Sequence, residues 1–366
     1  MSTQIPPEPR GERPEDLPVA PAPPASLRQR AWRFWSKHRT LLWTLHSVWA
    51  LATGVLIIWL AQEQYGFVPW VVLFLGLTWL STLYFGRKTA SAPVAGADTG
   101  QPPGPAAEAT SYVTRVMYQE TLFFLLPFYA YSMVIDAPNV LFMALLGSLA
   151  ILSCIDLVFD RWLRTSQVLS LLFFALVTFA AVNLLIPMLV PVDPALATRI
   201  AAGVAVTGAL PLALQGKRPS RKDAGFLALA TAIFLAIVIG FPRLIPPVPL
   251  RLQEVTFATG IDRETLEPII PLQHEVRSAT LGDGLYVRIL VFAPTVVPAQ
   301  VSLRWEFDGE TIRDTRTIDI TAHSAGFRIW DACRPESGPV EPGRYHVILE
   351  TQARRVFGTA TIVVHP

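Results

Sequence analysis

Seven long apolar runs lie between residues 41 and 244, and they constrain the fold of this chain more than its other features do. They cover residues 41–60, 67–85, 121–135, 139–159, 167–190, 196–214 and 226–244. Most reach the length of about 20 residues that a helix needs to cross the hydrocarbon core of a bilayer. Because backbone polar groups in lipid must be satisfied within their own segment, the runs are expected to be helices. The sequence therefore predicts an α-helical membrane bundle of about seven transmembrane helices.

The composition agrees with a membrane protein. Hydrophobic residues make up 52% of the chain, charged residues make up 16%, and the mean hydropathy is +0.41. A soluble domain carries about 25% charged residues. The net charge of +2 is too small to indicate nucleic acid as a partner. Cys154 and Cys333 are too few for a disulfide framework, so each is expected to be a lone thiol.

Basic residues predict the orientation of this bundle. The segment before residue 41 and the connections after the second, fourth and sixth runs contain several Arg and Lys residues, whereas the alternate connections are nearly free of them. The positive-inside rule then places the N-terminus in the cytoplasm. An odd number of spans places everything after residue 244 on the outer side. Residues 121–135 are the weakest span, since they are few and contain Pro127.

The composition also divides the chain into five parts. Residues 1–40 form a Pro-rich tail, expected to be disordered, and a basic juxtamembrane segment. Residues 41–88 form a two-helix membrane unit, and residues 89–111 form a flexible cytoplasmic loop rich in Ala, Gly and Pro. Residues 112–245 form a five-helix membrane unit. Residues 246–366 form an outer β domain.

The hydrophobic period changes to two in this last part. Apolar and polar residues alternate in segments that predict strands, at residues 285–292, 301–307, 317–320, 326–330, 345–349 and 356–364. Asp308 and Gly309 follow one of them and predict a tight hairpin turn, because Gly tolerates positive φ. Several short strands without a helical stretch predict an all-β, immunoglobulin-like sandwich.

Four motifs in the β domain resemble an uncharacterised bacterial protein family. They are Trp305-Glu306-Phe307-Asp308-Gly309, Gly326-Phe327-Arg328-Ile329-Trp330, Pro342-Gly343-Arg344-Tyr345-His346-Val347 and Val356-Phe357-Gly358. The family is a domain of unknown function at the C-terminus of multi-helix membrane proteins, and the resemblance covers residues 300–364. The family typically has His-x-Trp-x-x-x-Gly on the first of these strands, where this chain has Leu303. The resemblance implies a bacterial β domain anchored in the inner membrane and facing the periplasm, with no known reaction.

Three residues of the β domain are candidate ligand-binding residues. Trp305 and Trp330 could form a stacking platform for a sugar, and Arg328 could bind a carboxylate or phosphate through its planar guanidinium. The structural alternatives are favoured for two of them. Trp305 is in phase with apolar neighbours, which predicts a core residue, and Arg328 is expected to pair with a nearby carboxylate.

Polar residues within the apolar runs are the second group of candidates. His46 and Asp156 are the ionisable ones, and Asn183 is a further polar outlier. Burial of an ionisable group in lipid is costly, so such residues are functional candidates. A proton or ion path needs several of them at mid-depth. A transporter with an accessory outer domain is therefore the alternative function.

Catalytic and metal motifs are weak in this chain. Ala322-His323-Ser324-Ala325-Gly326 resembles a nucleophile elbow, but both flanks are strand-like where the chemistry needs a following helix. The possible zinc ligands His274, His323, His346 and Cys333 have no recognised metal-ligand spacing. We predict no catalytic residue, metal or cofactor. The leading hypothesis is an integral inner-membrane protein, in contact with the lipid bilayer, whose periplasmic β domain binds or senses an envelope component or a protein partner.

Overall fold

The structure is a computed structural model of the 366-residue chain. It describes residues 105–154, 167–190, 192–213, 221–293, 299–314, 317–320, 326–335 and 338–366, and isolated helical positions between His38 and Gly76. The chain divides into a unit at Met1–Val48 and a unit at Trp49–Pro366. The first unit is described only at a few helical positions. The architecture below belongs to the second unit.

Five α-helices lie in the described part of the second unit. They are α1 (Pro105–Ser132), α2 (Val140–Cys154), α3 (Gln167–Leu189), α4 (Pro194–Ala213) and α5 (Arg221–Gly240), and a 3-10 helix at Pro242–Leu244 follows. One apolar core joins all five, with Phe128, Phe142 and Phe179 among its larger residues. The rings of Phe142 and Phe179 meet edge to face at 5.9 Å. Apolar packing of this kind provides most of the stability of helices in proteins.

The prediction of about seven transmembrane helices, and with it of a multi-pass membrane protein, is wrong. Among the described helices only Val168–Leu189 is long and apolar enough to cross a membrane, and 56% of its most apolar window is buried inside the protein. The other apolar helices, Val140–Cys154, Pro194–Leu210 and Ala224–Gly240, have 10–17 residues. At a rise of about 1.5 Å per residue they fall short of a hydrocarbon core of about 30 Å. The last run extends beyond its α-helix, since residues 242–244 form a 3-10 helix after Gly240.

The described residues cover only some of the other predictions for the helical part. Helix α1 begins at Pro105, inside the segment 89–111 predicted as a flexible loop, and it continues through Pro127. The runs at 41–60 and 67–85 lie largely outside the described residues, as does the Pro-rich tail. The division of the chain into five parts stays a prediction.

Nine β-strands follow the helices in the described residues. They are β1 (Arg251–Ala258), β2 (Glu275–Arg277), β3 (Leu285–Phe292), β4 (Ala299–Phe307), β5 (Glu310–Asp314), β6 (Ile318–Ile320), β7 (Phe327–Cys333), β8 (Gly343–Thr351) and β9 (Val356–His365). The six segments with a period of two coincide with β3, β4 and β6 to β9, which confirms them as strands. Strands β1, β2 and β5 are not among the predicted segments.

The strands form two sheets that pack on one core. The first sheet has the order β1-β3-β7, and the second has the order β2-β9-β8-β4-β5 with β6 also paired to β4. Side chains from both sheets, including Ile289, Leu303 and Val347, share the buried cluster between them. Strand β2 runs parallel to β9. This parallel pair departs from the predicted immunoglobulin-like sandwich, whose sheets are antiparallel.

The β4–β5 hairpin has the predicted turn. Asp308 and Gly309 occupy its two central positions with φ of 48° and 93°. Phe307 pairs with Glu310 on either side of it. Two consecutive positive φ values are the requirement of the two-residue turns that match the twist of a hairpin.

Candidate functional site

Trp305 is a core residue and offers no surface to a ligand. Its side chain is fully buried on β4, and its indole Nε1 donates a hydrogen bond to Asp331 Oδ2 at 2.9 Å. The Phe257 ring lies 6.4 Å away, edge to face. The other carboxylate oxygen of Asp331 faces Arg313 Nη2 at 3.6 Å. The structural alternative for Trp305 is therefore the one that the structure shows.

Arg328 and Trp330 lie on the outer face of the three-stranded sheet. The exposed Arg328 guanidinium is 3.5 Å from the Glu267 carboxylate, and it donates a hydrogen bond to the Thr265 carbonyl at 3.3 Å. Trp330 is half-buried against a small cluster made of Ala258, Ile261, Tyr286 and Ala332. The pairing of Arg328 with a carboxylate matches its structural alternative. These two candidates share a face, whereas Trp305 lies in the core.

A balanced set of charges continues across this outer face. Arg288 on β3 lies 3.6 Å from Glu254 on β1 and 3.6 Å from Glu267 in the loop after β1. Its side chain is only 11% exposed. Arg328 shares Glu267 with it, so two carboxylates face two guanidiniums. This arrangement holds the loop at residues 259–274 on the sheet.

Several candidates lie outside the described residues. These are His46, Asp156 and the motif residues His323 and Ser324, so the predictions about them stay predictions. In the part of the chain that the structure describes, no group of three or more His, Cys, Asp or Glu residues could hold a metal ion.

A chain of buried hydrogen bonds connects the β sheets to the helices, and we call it the polar relay. Arg355 Nη1 donates to Thr198 Oγ1 at 2.7 Å, and Thr198 Oγ1 donates to Asn183 Oδ1 at 2.7 Å. Asn183 Nδ2 then donates to the Tyr129 hydroxyl at 3.0 Å. The Tyr129 hydroxyl donates to the carbonyl of Ala180 at 2.9 Å. The relay therefore joins the β8–β9 turn to α4, α3 and α1.

The side chains of the relay are all buried. The exposed fractions are 2% for Arg355, 1% for Thr198, 2% for Asn183 and 0% for Tyr129. A buried polar group that loses its partner costs about 1–3 kcal/mol. Each member satisfies the next, so the relay is stable only when the turn and the three helices keep their positions.

Local sequence explains how Thr198 and Arg355 meet. Asp193 Oδ2 accepts hydrogen bonds from the backbone N–H groups of Ala195 and Leu196, at 2.8 and 3.2 Å, which caps the start of α4. Pro194 then occupies the first helical position, where its missing N–H costs nothing. Thr198 follows on the buried side, one turn later. Arg355 is placed by the β8–β9 turn, which closes where the Thr351 N–H donates to the Arg355 carbonyl at 3.0 Å.

The relay carries a buried positive charge at its β end. Burial is the first cause that lowers the pKa of Arg355 to about 10, Asp193 raises this pKa, and Arg199 lowers it. The guanidinium is therefore still charged at neutral pH. Its Nε atom is buried and has no hydrogen-bond partner among the described residues.

Asn139 makes a second connection between the helices and the sheets. Its side chain is 0% exposed, and its Nδ2 donates to the Val356 carbonyl at 2.6 Å. Its Oδ1 accepts a hydrogen bond from the Val134 backbone N–H at 3.1 Å. The loop between α1 and α2 is thereby joined to the first residue of β9.

Arg251 makes a third connection through aromatic rings. Its guanidinium carbon lies 5.0 Å from the ring centre of Tyr131 on α1 and 4.7 Å from that of Phe292 on β3. The residue is 8% exposed. Cations over aromatic faces are attracted by the ring quadrupole, and more strongly where water is excluded.

Sequence analysis identified only Asn183 among the residues that make these connections. In the sequence Thr198 does not differ from other polar residues of a helix. Arg355 follows Arg354 in a segment that is typical of a polar turn. The hydrogen bond between Arg355 and Thr198 joins residues 157 positions apart. No local pattern contains such a contact, so a single sequence offers no signal for it.

The helices also expose a wide apolar surface, which is broadest on α5. Residues on its outward side are at least 42% exposed, namely Phe226, Leu229, Ile233, Ile237 and Ile239. The opposite side, with Phe234, Leu235 and Val238, packs on the apolar core. No charged residue lies between positions 224 and 240. An amphipathic surface helix would carry polar residues on the outward side.

Comparison with protein families gives one match. A family of unknown function, DUF5924, matches residues 24–287, which is more than two thirds of the chain. The match includes Tyr129, Asn183 and Thr198 and ends within β3, so the motifs that carry the resemblance at residues 300–364 lie beyond it. No curated protein matches the chain. The prediction of an uncharacterised family is confirmed, and the chain belongs to DUF5924, a family of unknown function.

Proposed function

We propose that the protein is held at a membrane by its apolar helical surface and presents the β sandwich to a cell-envelope component or a protein partner. The observation that carries this proposal is helix α5, which is apolar on its outward side as well as on its packed side. Soluble proteins rarely expose contiguous apolar surface on this scale. Contact between such a surface and water is unfavourable, so we expect another molecule to cover it.

Lipid is the cover that best fits the distribution of exposed residues. Exposed large apolar side chains occur on α2, α3, α4 and α5, including Leu141, Leu169 and Leu210. A docked partner helix would cover one stripe, whereas a lipid surface can cover exposed apolar side chains on several neighbouring helices. The apolar part of α5 follows the exposed Arg221 and Lys222, and Arg243 comes after it. Charged residues at both ends of an apolar helix are typical of segments that contact a bilayer.

The β sandwich has the opposite surface chemistry. Its outer faces carry ion pairs, such as Arg288 with Glu254 and Arg328 with Glu267. These charges are compatible with water and with a polar ligand or partner. The polar relay and Asn139 hold this polar body on the apolar helices. This supports a protein with one lipid-facing part and one water-facing part.

Vesicle flotation of the full chain tests the proposal. We expect the purified protein to float with phosphatidylcholine vesicles and to stay bound in high salt, because the contact is apolar. Leu229→Glu on α5 should weaken flotation, since burial of a Leu side chain contributes about 1.5–3 kcal/mol. Ile312→Glu is the matched control, because Ile312 is 45% exposed on β5 in the sandwich. A wild-type chain that stays in the aqueous fraction would overturn the proposal, as would equal effects of the two variants.

A further inference from the structure

The start of α4 combines an exposed cation, exposed apolar side chains and a buried guanidinium. Leu196, Arg199 and Ile200 are all exposed, with Leu196 at 46% and Ile200 at 38%. Thr198 lies between them in the sequence and holds Arg355 at 2.7 Å on the buried side of the same turn. We call these exposed residues, with Arg355 behind them, the α4 patch.

Exposed apolar side chains also lie at the end of α3. Leu189 and Val190 are 55% and 51% exposed, and they precede α4 by a few residues. These side chains resemble the rest of the lipid-facing surface. The patch therefore stands at the border between that surface and the polar sandwich.

The charge of the patch is positive. Arg199 and Arg355 supply two guanidiniums, and Asp193 is the acidic residue of the same helix start. The Asp193 carboxylate already accepts two backbone hydrogen bonds from the first turn of α4. Arg355 is 2% exposed, and within the described residues its Nε lacks a hydrogen-bond partner. Asp193 offsets part of the Arg355 charge, while the guanidinium hydrogen bond goes to the neutral Thr198 hydroxyl. A buried charge attracts an anion more strongly than the same charge in water.

We propose that the α4 patch binds the headgroup of an anionic phospholipid, with the phosphate at Arg199 and the acyl chains against Leu196 and Ile200. The buried Arg355 strengthens the field behind Arg199 and does not itself touch the lipid. Guanidinium groups are suited to phosphate, because their planar N–H donors can bond two oxygens at once. This inference rests on the proposed function, since it needs the helical surface to lie in lipid.

The test compares full-chain binding to phosphatidylcholine vesicles with and without phosphatidylglycerol. We expect tighter binding to the anionic vesicles, and we expect Arg199→Gln to lower that binding by about fivefold and to lower binding to neutral vesicles less. Arg263→Gln is the matched control, because it removes an exposed arginine from the β sandwich. It should behave like the wild type.

Four results would overturn the inference. Equal effects of Arg199→Gln and Arg263→Gln would show that the preference for anionic vesicles comes from the net charge of the protein. Equal binding to neutral and anionic vesicles would contradict the headgroup site but not the proposed function. Displacement of the anionic preference by dissolved inorganic phosphate would assign the patch to a free anion. A chain that binds neither kind of vesicle would overturn the proposed function together with this inference.

Discussion

At the scale of single residues, Thr198 is the centre of the polar relay. Its hydroxyl accepts from Arg355 and donates to Asn183. Thr198→Val preserves the shape of the side chain and removes the hydrogen bonds of the buried Arg355 Nη1 and Asn183 Oδ1 to this hydroxyl. We expect the free energy of unfolding to fall by about 1–3 kcal/mol in urea titrations followed by tryptophan fluorescence.

A second threonine on the same helix gives the control for this change. Thr207 is exposed, and its hydroxyl donates to the carbonyl of Gly203 within its own helix at 2.8 Å. Thr207→Val should therefore change the stability by no more than about 0.5 kcal/mol. If both variants lost the same stability, the relay would not be what joins the turn to the helices.

The buried pair of Trp305 and Asp331 gives a second prediction at this scale. Asp331→Ala removes the acceptor of the indole N–H, so the unfolding free energy should fall by about 1–3 kcal/mol in thermal unfolding followed by circular dichroism. Asp331→Asn keeps an oxygen acceptor and should cost less. In a Trp305→Phe background the Asp331→Ala change should also cost less, and an unchanged cost would show that the hydrogen bond contributes nothing.

At the scale of elements, the β4–β5 turn depends on Gly309. A Cβ atom added there would meet no heavy atom within 4 Å, so a substitution is opposed only by the φ of 93°. Gly309→Ala should lower the stability by about 1–2 kcal/mol, because left-handed backbone crowds a Cβ against its own carbonyl. Gly309→Asn should cost less, since Asn tolerates this conformation better. Equal melting temperatures for Gly309→Ala and the wild type would contradict the turn.

The loop at residues 259–274 has a predicted dependence on pH. The pKa of Asp262 is lowered, chiefly by the hydrogen bond that the Glu264 N–H donates to its carboxylate at 2.9 Å. A carboxylate whose pKa is lower in the folded state stabilises that state above its unfolded pKa. This contribution is lost as the pH falls through the folded pKa. Amide-exchange protection in the loop should therefore fall in acid, and Asp262→Asn should remove that component of the pH dependence.

The elements differ in how far a single sequence predicts them. Strands such as β4 were predictable, because alternation is a local signal. Val301, Leu303 and Trp305 are buried there, and the polar residues between them are half-buried. The three-residue β2 is too short to show a period, and its parallel partner β9 lies far along the chain. Apolar runs predicted helices correctly at α2 to α5 and gave the wrong number of spans. An apolar side chain on α3 has the same sequence signal whether protein or lipid covers it.

The candidate site shows the same limit more strongly. Asn183 was visible as a polar residue within an apolar run, which is a local signal. Its partners Thr198 and Arg355 were not, because their contact depends on the helices and the sheets being folded together. Trp305 and Arg328 were chosen by residue type, and the structure gives both of them structural partners.

At the scale of the whole molecule, the described chain combines an apolar helical part with a polar sandwich. Three buried connections join them, through Arg355, Asn139 and Arg251. Each connection is made by a polar or charged side chain. Such contacts depend on the orientation of the two parts, whereas apolar packing does not. The joined parts are therefore expected to keep a fixed relation, with the sandwich presented from the helices.

The central claim is that the outward side of α5 lies in lipid. A spin label at Ile233→Cys, in a full chain carrying Cys154→Ala and Cys333→Ala and reconstituted in phosphatidylcholine vesicles, tests it directly. We predict that this label collides with dissolved oxygen far more than with a water-soluble nickel chelate, and that a label at Ile312→Cys does the opposite. Access of the nickel chelate to position 233 equal to its access to position 312 would contradict the claim.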